Sequence, residues 1–287
     1  MNGFINFARM HGLEINPSKF YASDKIRRCG TTEKPRSLNG SYLWNGERGW
    51  IFNWQGEART IWYSDPNAKP WTDEEKRQWA AKRQTQQSEQ QHKYEQTALK
   101  ADMILRSAKL EDHPYLTAKG FGAEKGFVLD DVLLIPMRNV ATNKLQGYQQ
   151  IIWDTDERKY VKKMLTGMRA KNAVFRMGVK DAGETWLVEG YATGLSVHQA
   201  LRSCGMKASV VVCFSAGNMV AVASQIPGKV MIFADNDASG TGAKSAEETG
   251  HPWVMADEVG FDANDLHQKH GLFAVVRKLM QCQEVAV

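Results

Sequence analysis

From Thr185 onward the sequence alternates short apolar runs with stretches of helical length: "TWLVE", "TGLSVHQALRSCG", "SVVVCFS", "GNMVAVASQI", "KVMIFAD", "SGTGAKSAEETG", "PWVMAD" and a closing helical stretch. No other feature constrains the fold as tightly. A run such as Val230 to Phe233, apolar at every position, belongs inside a sheet covered on both faces. Strands separated by helices of this length pair in parallel through right-handed crossovers. Residues 184–287 are therefore expected to form an α/β, Rossmann-like parallel sheet with helices on both faces. In open sheets of this kind, ligands bind outside the carboxyl ends of the strands.

That edge is where the acids fall. Glu189 ends the first strand, Asp235 and Asp237 end the third, and Asp262, with Asn264 and Asp265, follows the fourth. A lone D-x-D pair also serves as a turn former or helix cap, but three strands delivering carboxylates to one edge would make a coincidence of caps. Such a cluster repels itself unless some members stay protonated or cations sit among them. Hard oxygen ligands without His or Cys suit Mg²⁺ or Mn²⁺. Glu189, Asp235, Asp237, Asp262 and Asp265 are the candidate ligands, for two ions, with phosphoryl or nucleotidyl transfer as the matching chemistry.

The upstream residues differ in character. Residues 1–68 hold "GSYLWNGERGWIFNWQGEARTIWYSD", three β-prone runs separated by Asn45-Gly46 and Gln55-Gly56, which predicts an antiparallel meander. Tyr42, Trp44, Trp50, Phe52, Trp54, Trp62 and Tyr63 are read first as the core of a small domain. The second reading is stacking on unpaired bases, with Arg36, Arg48 and Arg59 for phosphates. Over 69–110 the sequence turns to Gln, Lys, Arg and Glu, and Thr72 with Glu75 makes a capping-box start for a long, solvated connecting helix. Residues 111–183 read as a mixed segment containing a basic hairpin: Arg158, Lys159, Lys162, Lys163, Arg169, Lys171 and Arg176 have no acid among them, as along a polyanion path.

Composition narrows the remaining classes. A net charge of +5 on 287 residues is too modest for a basic tail, so a nucleic-acid surface must come from local clustering. Cys29, Cys204, Cys213 and Cys282 form no C-x-x-C pair, which argues against a zinc ribbon or a disulfide framework. No stretch has the length of a membrane span, and the N-terminus lacks a signal-peptide pattern; a cytoplasmic, soluble protein is expected.

"LVEGYATG", "IFADNDASGTG" and "DANDLHQKHG" resemble the motifs of the Toprim domain, the catalytic fold of bacterial-type primases, topoisomerases and some nucleases. The upstream "HPYLTAKGF", "LIPM", "LQGYQQI", "KKMLTG" and "AVFRMG" resemble the segment preceding that domain in plasmid- and phage-encoded primases, and "RCGTTEKPRSLNGSYLW" is similar to their N-terminal region. The resemblance implies a DNA primase, a nucleotidyltransferase making short RNA primers on single-stranded DNA from nucleoside triphosphates, in a bacterial cell, with a separate replicative helicase as a partner. It assigns Glu189 to acid/base work or metal binding, and Asp235 and Asp237 to the metal. Asp262 matches the first acid of the last motif, where Asn264 stands in the second acidic place and Asp265 beside it. The usual zinc-binding module is not matched, since the N-terminal region has only Cys29, so no zinc is expected; a helicase P-loop is also missing. The alternatives are a Toprim nuclease with the same metals and a catalytically idle single-stranded-DNA-binding accessory protein.

Smaller candidates are Ser215, Gly217 and Asn218, which open a helix whose N–H groups suit a triphosphate or are simply a helix start, and Gly190, Gly240 and Gly242, which suit close approach of a nucleotide or simply tight turns. Replacing Asp237 with Asn is expected to stop the chemistry, leave the sheet folded and relieve repulsion.

Overall fold

Phe4 and Ala8, one helical turn apart, give the short first helix, α1 (Asn2–Met10), an apolar face. The computed structural model describes residues 2–54, 59–179 and 182–285 and divides into two units, Met1–Arg83 and Gln84–Val287. In the first, β1 (Leu13–Glu14), β2 (Ser23–Thr31), β3 (Gly40–Trp44), β4 (Arg48–Asn53) and β5 (Thr60–Ser64) form an antiparallel sheet in chain order. Strand alternation sends Tyr42, Trp44 and Ile51 to the face covered by α1, where Phe4 stacks 4.8 Å from Trp44 and Ile61 and Tyr63 complete the cluster. Those aromatics are core. Trp50, Phe52 and Trp62 occupy the alternate positions and face the other way. The Asn45-Gly46 turn is present: Asn45 Oδ1 accepts from the N–H groups of Glu47 and Arg48, and Gly46 sits at φ +109°, which only glycine takes readily. The expected Gln55-Gly56 turn lies outside the described residues.

Helix α2 (Asp73–Ser107) starts at the expected capping box, with the Thr72 N–H donating to Glu75 Oε2 at 2.7 Å and the Glu75 N–H to Thr72 Oγ1 at 3.2 Å. Its polar sequence leaves Ala101 as its one buried residue. Ala101, Ile104 and Leu105 pack against Leu134 and Tyr148 in the second unit.

There follow β6 (Lys109–Glu111), α3 (Pro114–Ala118), β7 (Gly126–Leu129), β8 (Val132–Asn139), β9 (Leu145–Asp154), β10 (Lys159–Met164) and β11 (Ala173–Gly178). The last part of the chain supplies β12 (Glu184–Val188), α4 (Tyr191–Ser203), β13 (Ser209–Val212), α5 (Ala216–Ala223), β14 (Lys229–Ala234), α6 (Thr241–Thr249), β15 (Trp253–Met255), α7 (Ala263–His270) and α8 (Leu272–Val285). The expected parallel sheet is present in the order β13-β12-β14-β15. Trp186, Val188, Val210, Val212, Met231 and Phe233 face α4, α7 and α8, while the intervening Leu187, Val211, Val230 and Ile232 face α5 and α6. This two-sided burial explains why the strands read as unbroken apolar runs.

Two features depart from the sequence reading. The closing helix is two helices, broken where Gly271 at φ +80° donates its N–H to the His267 carbonyl. The mixed segment and the parallel sheet are also one sheet: β11 runs antiparallel to both β8 and β13, joining β10-β9-β8 to the parallel strands. That junction brings the basic hairpin β9–β10 into the same unit as the acids. Among the described residues no helix is long and apolar enough to cross a membrane.

Candidate active site

Asp235 leaves β14 where α6 turns back onto it, and the turn is tight: a Cβ on Gly242 would lie 2.1 Å from the Asp235 carbonyl oxygen. This glycine serves the turn. Asn236, the middle residue of the D-x-D pair, ties two loops together, its backbone N–H donating to the Phe261 carbonyl at 3.0 Å and its Nδ2 to the Ala256 carbonyl at 3.0 Å. The loop carrying Asp262 is thereby pinned beside the end of β14. Asp237 organises the entry to α6: its Oδ1 accepts from the N–H and hydroxyl of Ser239 and from the Thr241 N–H, and its Oδ2 accepts from the Gly242 N–H at 2.9 Å. These bonds hold its carboxyl below the usual range.

Asp262 caps α7. Its Oδ1 accepts from the N–H groups of Asn264 and Asp265, and the Asp265 carboxylate accepts the Asp262 N–H in return, a capping box. Its other oxygen accepts a hydrogen bond from Thr193 Oγ1 at 2.9 Å. Asn264 is fully buried and donates to the Lys119 carbonyl and to Ser196 Oγ, so its amide serves packing between α4, α7 and the loop after α3. Thr193 and Asn236 are site residues that the sequence reading missed; both stand inside the quoted motifs, but only the folded chain shows their partners.

Glu189 follows β12. Its carbonyl accepts the N–H of Phe214, a bulky residue held at φ +64° in the left-handed region where side chains are rarely found. Burial, reinforced by the charge of Asp237, raises the Glu189 carboxyl, with Lys162 opposing. Asp235 is perturbed further. Burial and the charges of Asp262 and Glu189 push it up to about 7, again with Lys162 opposing. Its Oδ1 is buried and has no hydrogen-bond partner.

Lys162 is thus the hairpin cation whose field reaches the acids. Strand alternation separates it from Lys163, which with Lys159 lies in the field of Asp154, while Lys159 pairs with Glu157. The run that looked uncompensated in sequence is partly neutralised by acids just before it. Arg158 sits in the hairpin turn at φ +50° and is exposed. Arg169 and Lys171 are exposed in the loop leading to β11. Because Phe175 pairs with Val212, the start of β11 lies at the acid-bearing end of the parallel strands. Arg176 does not join them: it donates to Ser209 Oγ at 2.8 Å, at the opposite end of β13. Asn218 is committed internally, accepting the Asn172 N–H and donating to the Ala173 and Cys213 carbonyls, and its own N–H goes to Ser215 Oγ.

Residues 184–272 match the family model described as Toprim domain. A Toprim domain is found there. No curated protein matches the chain. The match spans Glu189, Asp235, Asp237 and Asp262, and it brings metal-dependent processing of nucleic acids as the class of activity for this edge.

The residues fit a divalent ion. Among the described residues no group of three or more His, Cys, Asp or Glu is placed to hold a metal ion, so the fit is to an ion such as Mg²⁺, which takes one or two carboxylates and fills its remaining positions with water and phosphate oxygens. Asp235 offers what such an ion needs: a buried carboxylate oxygen without a donor, in a field of three further carboxylates. Asp237 is the neighbouring ligand candidate, and Asp262 and Asp265 are held in their mutual cap.

Proposed function

We propose that the Toprim domain of this chain carries out primase-like nucleotidyl transfer, joining ribonucleotides on a single-stranded DNA template. The observation that carries the reading is the continuity of one sheet from the hairpin strand β10, which carries Lys162, through β11 to the acid-bearing strands, with the Lys162 charge opposing the rise of the Glu189 and Asp235 carboxyls. The primase-like resemblance of the segments from His113 to Gly178 supports it, because those segments build β8 to β11 and so place that lysine.

In this reading Asp235 and Asp237 hold the divalent ion, which neutralises phosphate oxygens and lowers the pKa of the attacking 3′-hydroxyl when bound. Glu189, raised by burial, is suited to take the proton from that hydroxyl. Lys162 attracts the triphosphate, and Arg169 and Lys171 guide the template past the same end of the sheet. A helicase partner and a plasmid or phage setting belong to this reading as well. A nuclease would use the same acids.

The deciding assay incubates the protein with single-stranded DNA, labelled ribonucleoside triphosphates and Mg²⁺ or Mn²⁺. Labelled oligoribonucleotides are the expected product; shortened DNA without them would assign the nuclease instead. Lys162→Ala is expected to lower the synthesis rate by about tenfold or more, equivalent to about 1.4 kcal/mol of transition-state stabilisation. Lys163→Ala, on the opposite face of the strand, should act through template affinity alone, flattening the slope of log K against log salt by about 0.7. Equal rate losses in the two variants would remove Lys162 from the site.

A further inference from the structure

We propose that the outer face of the five-stranded sheet, together with the first turns of α2, is a stacking site for an unpaired segment of DNA. This surface is built by residues of the first unit alone, whereas the acids belong to the second, and it needs no metal. Its basis is the division of the aromatics by strand register. Tyr42, Trp44 and Tyr63 already build the core against α1. Trp50 pairs across strands with Trp62, and Phe52 stands in the next outward row, so that face is aromatic without being needed for the core. Trp62 is 59% exposed and Trp54, just beyond β4, is 57% exposed.

Two guanidinium groups lie beside these rings, although Arg48 also pairs with Glu47 and the first turn of α2 carries Asp73, Glu74 and Glu75. Arg28 lies over Trp54, 5.4 Å from the ring centroid, and Arg48 lies over Trp71 at 5.1 Å. The outward positions of β3, β4 and β5 carry no aspartate or glutamate. Trp62, Trp71 and Trp79 meet edge to face and, with Arg48 and Leu43, line a cleft of about 170 Å³. The Nε1–H of Trp71 is buried and finds no acceptor. Flat rings open to solvent, guanidinium groups beside them and a spare donor call for a ligand with exposed π faces, acceptor oxygens and negative charge. An unpaired nucleotide strand has all three, whereas a duplex hides its base faces.

The test measures binding of the full chain to a labelled oligothymidylate by fluorescence anisotropy in EDTA. Trp54 and Trp62 are more than half exposed, so their replacement should leave the fold intact, with melting temperature and circular dichroism as checks. Trp54→Ala/Trp62→Ala is expected to weaken binding at least about fivefold, the lower end for loss of a stacked base, with an unchanged salt slope because stacking releases no counterions. Phe273→Ala, an exposed aromatic on α8 of the second unit, serves as control and should bind as wild type. A smaller loss in the double variant, an equal loss with a duplex of the same length, or tighter binding to oligouridylate than to oligothymidylate would overturn the proposal. The two readings fail separately. Asp235→Asn is expected to lose synthesis and keep this binding; the tryptophan variant is expected to lose binding while its acid edge stays intact.

Discussion

Asp235→Asn is expected to raise the melting temperature at pH 8 and Asp237→Asn to lower it, although both remove one negative charge from the same edge and both are expected to stop synthesis. The opposite signs follow from what each carboxylate touches. Asp235 is half-buried beside the charges of Asp262 and Glu189, with a buried oxygen that no donor satisfies, and holding it ionised at neutral pH works against the fold. The rise from the ordinary 3.8 to about 7 corresponds to on the order of 4 kcal/mol between its protonation states. An amide has no charge to desolvate and can donate to the neighbouring carboxylates. Asp237 is satisfied instead by the turn it organises, and an Asn there cannot accept the Gly242 N–H through its NH₂ group. Loss of that hydrogen bond should cost about 1 kcal/mol. Both substitutions relieve repulsion among the acids, but at Asp237 the lost hydrogen bonds of the turn are expected to outweigh that gain.

The pH dependence gives the same prediction a second readout. A carboxyl whose folded pKa is raised keeps its proton more firmly in the folded state, so its contribution to stability is fully present below about 4 and is lost as pH rises toward about 7. The stabilisation by Asp235→Asn should accordingly be large at pH 8 and vanish near pH 4. Asp237, lowered by its hydrogen bonds, behaves in the opposite way, stabilising at neutral pH and losing its contribution in acid. Added Mg²⁺ should raise the melting temperature of wild type at pH 8 by mass action and have less effect on Asp235→Asn. Thermal scans at the two pH values, with and without Mg²⁺, check all of this; a stabilisation by Asp235→Asn that is the same at pH 4 and pH 8 would contradict the account of its carboxylate.

Much of this site was legible before folding, and for definite reasons. A parallel strand announces itself by being apolar at every position, and the residue after it must lie at the carboxyl edge, so the approximate places of Glu189, Asp235 and Asp262 followed from the pattern alone. What each acid does there depends on neighbours distant in sequence. Thr193 reaches Asp262 across 69 residues, and Lys162 is singled out from Lys163 only by which side of β10 it occupies. The basic run looked uniform because sequence order hides strand faces. The same blindness merged the seven N-terminal aromatics into one block, when alternation assigns Trp44 to the core and Trp62 to the surface. Helix α1 escaped notice because nine residues carry too little periodicity to distinguish a helix from an irregular start. Continuity of the sheet through β11 was equally hidden, since it depends on long-range antiparallel pairing that no local pattern encodes.

Gly242→Ala is expected to be the most disruptive single-methyl change at this edge, contrary to helix propensity. Gly242 is the second residue of α6, and exchanging a helical glycine for alanine ordinarily stabilises by about 1 kcal/mol. Here the added Cβ would meet the Asp235 carbonyl oxygen at 2.1 Å and the carbonyl carbon at 3.1 Å, contacts with backbone that cannot rotate away. Either α6 lifts from β14 or the end of β14 moves. Both displace the acids, because Asp235 is itself the residue struck and the Gly242 N–H is one of the bonds holding Asp237. Overpacking of this kind costs typically about 1–3 kcal/mol, enough to lower the melting temperature by several degrees in a unit of this size, at about 2–4 °C for each kcal/mol. Synthesis should fall with it, even at temperatures where the variant is fully folded. Gly240→Ala is the matched comparison. That glycine needs its left-handed φ of +68° but has no atom within 4 Å of an added Cβ, so it should lose about 1 kcal/mol of stability while its activity at low temperature stays near wild type. Melting curves and synthesis rates on the two variants separate steric displacement of the acids from simple backbone strain. A higher melting temperature for Gly242→Ala, as propensity alone predicts, would mean that α6 does not rest on the end of β14 and that the two aspartates are placed by something else.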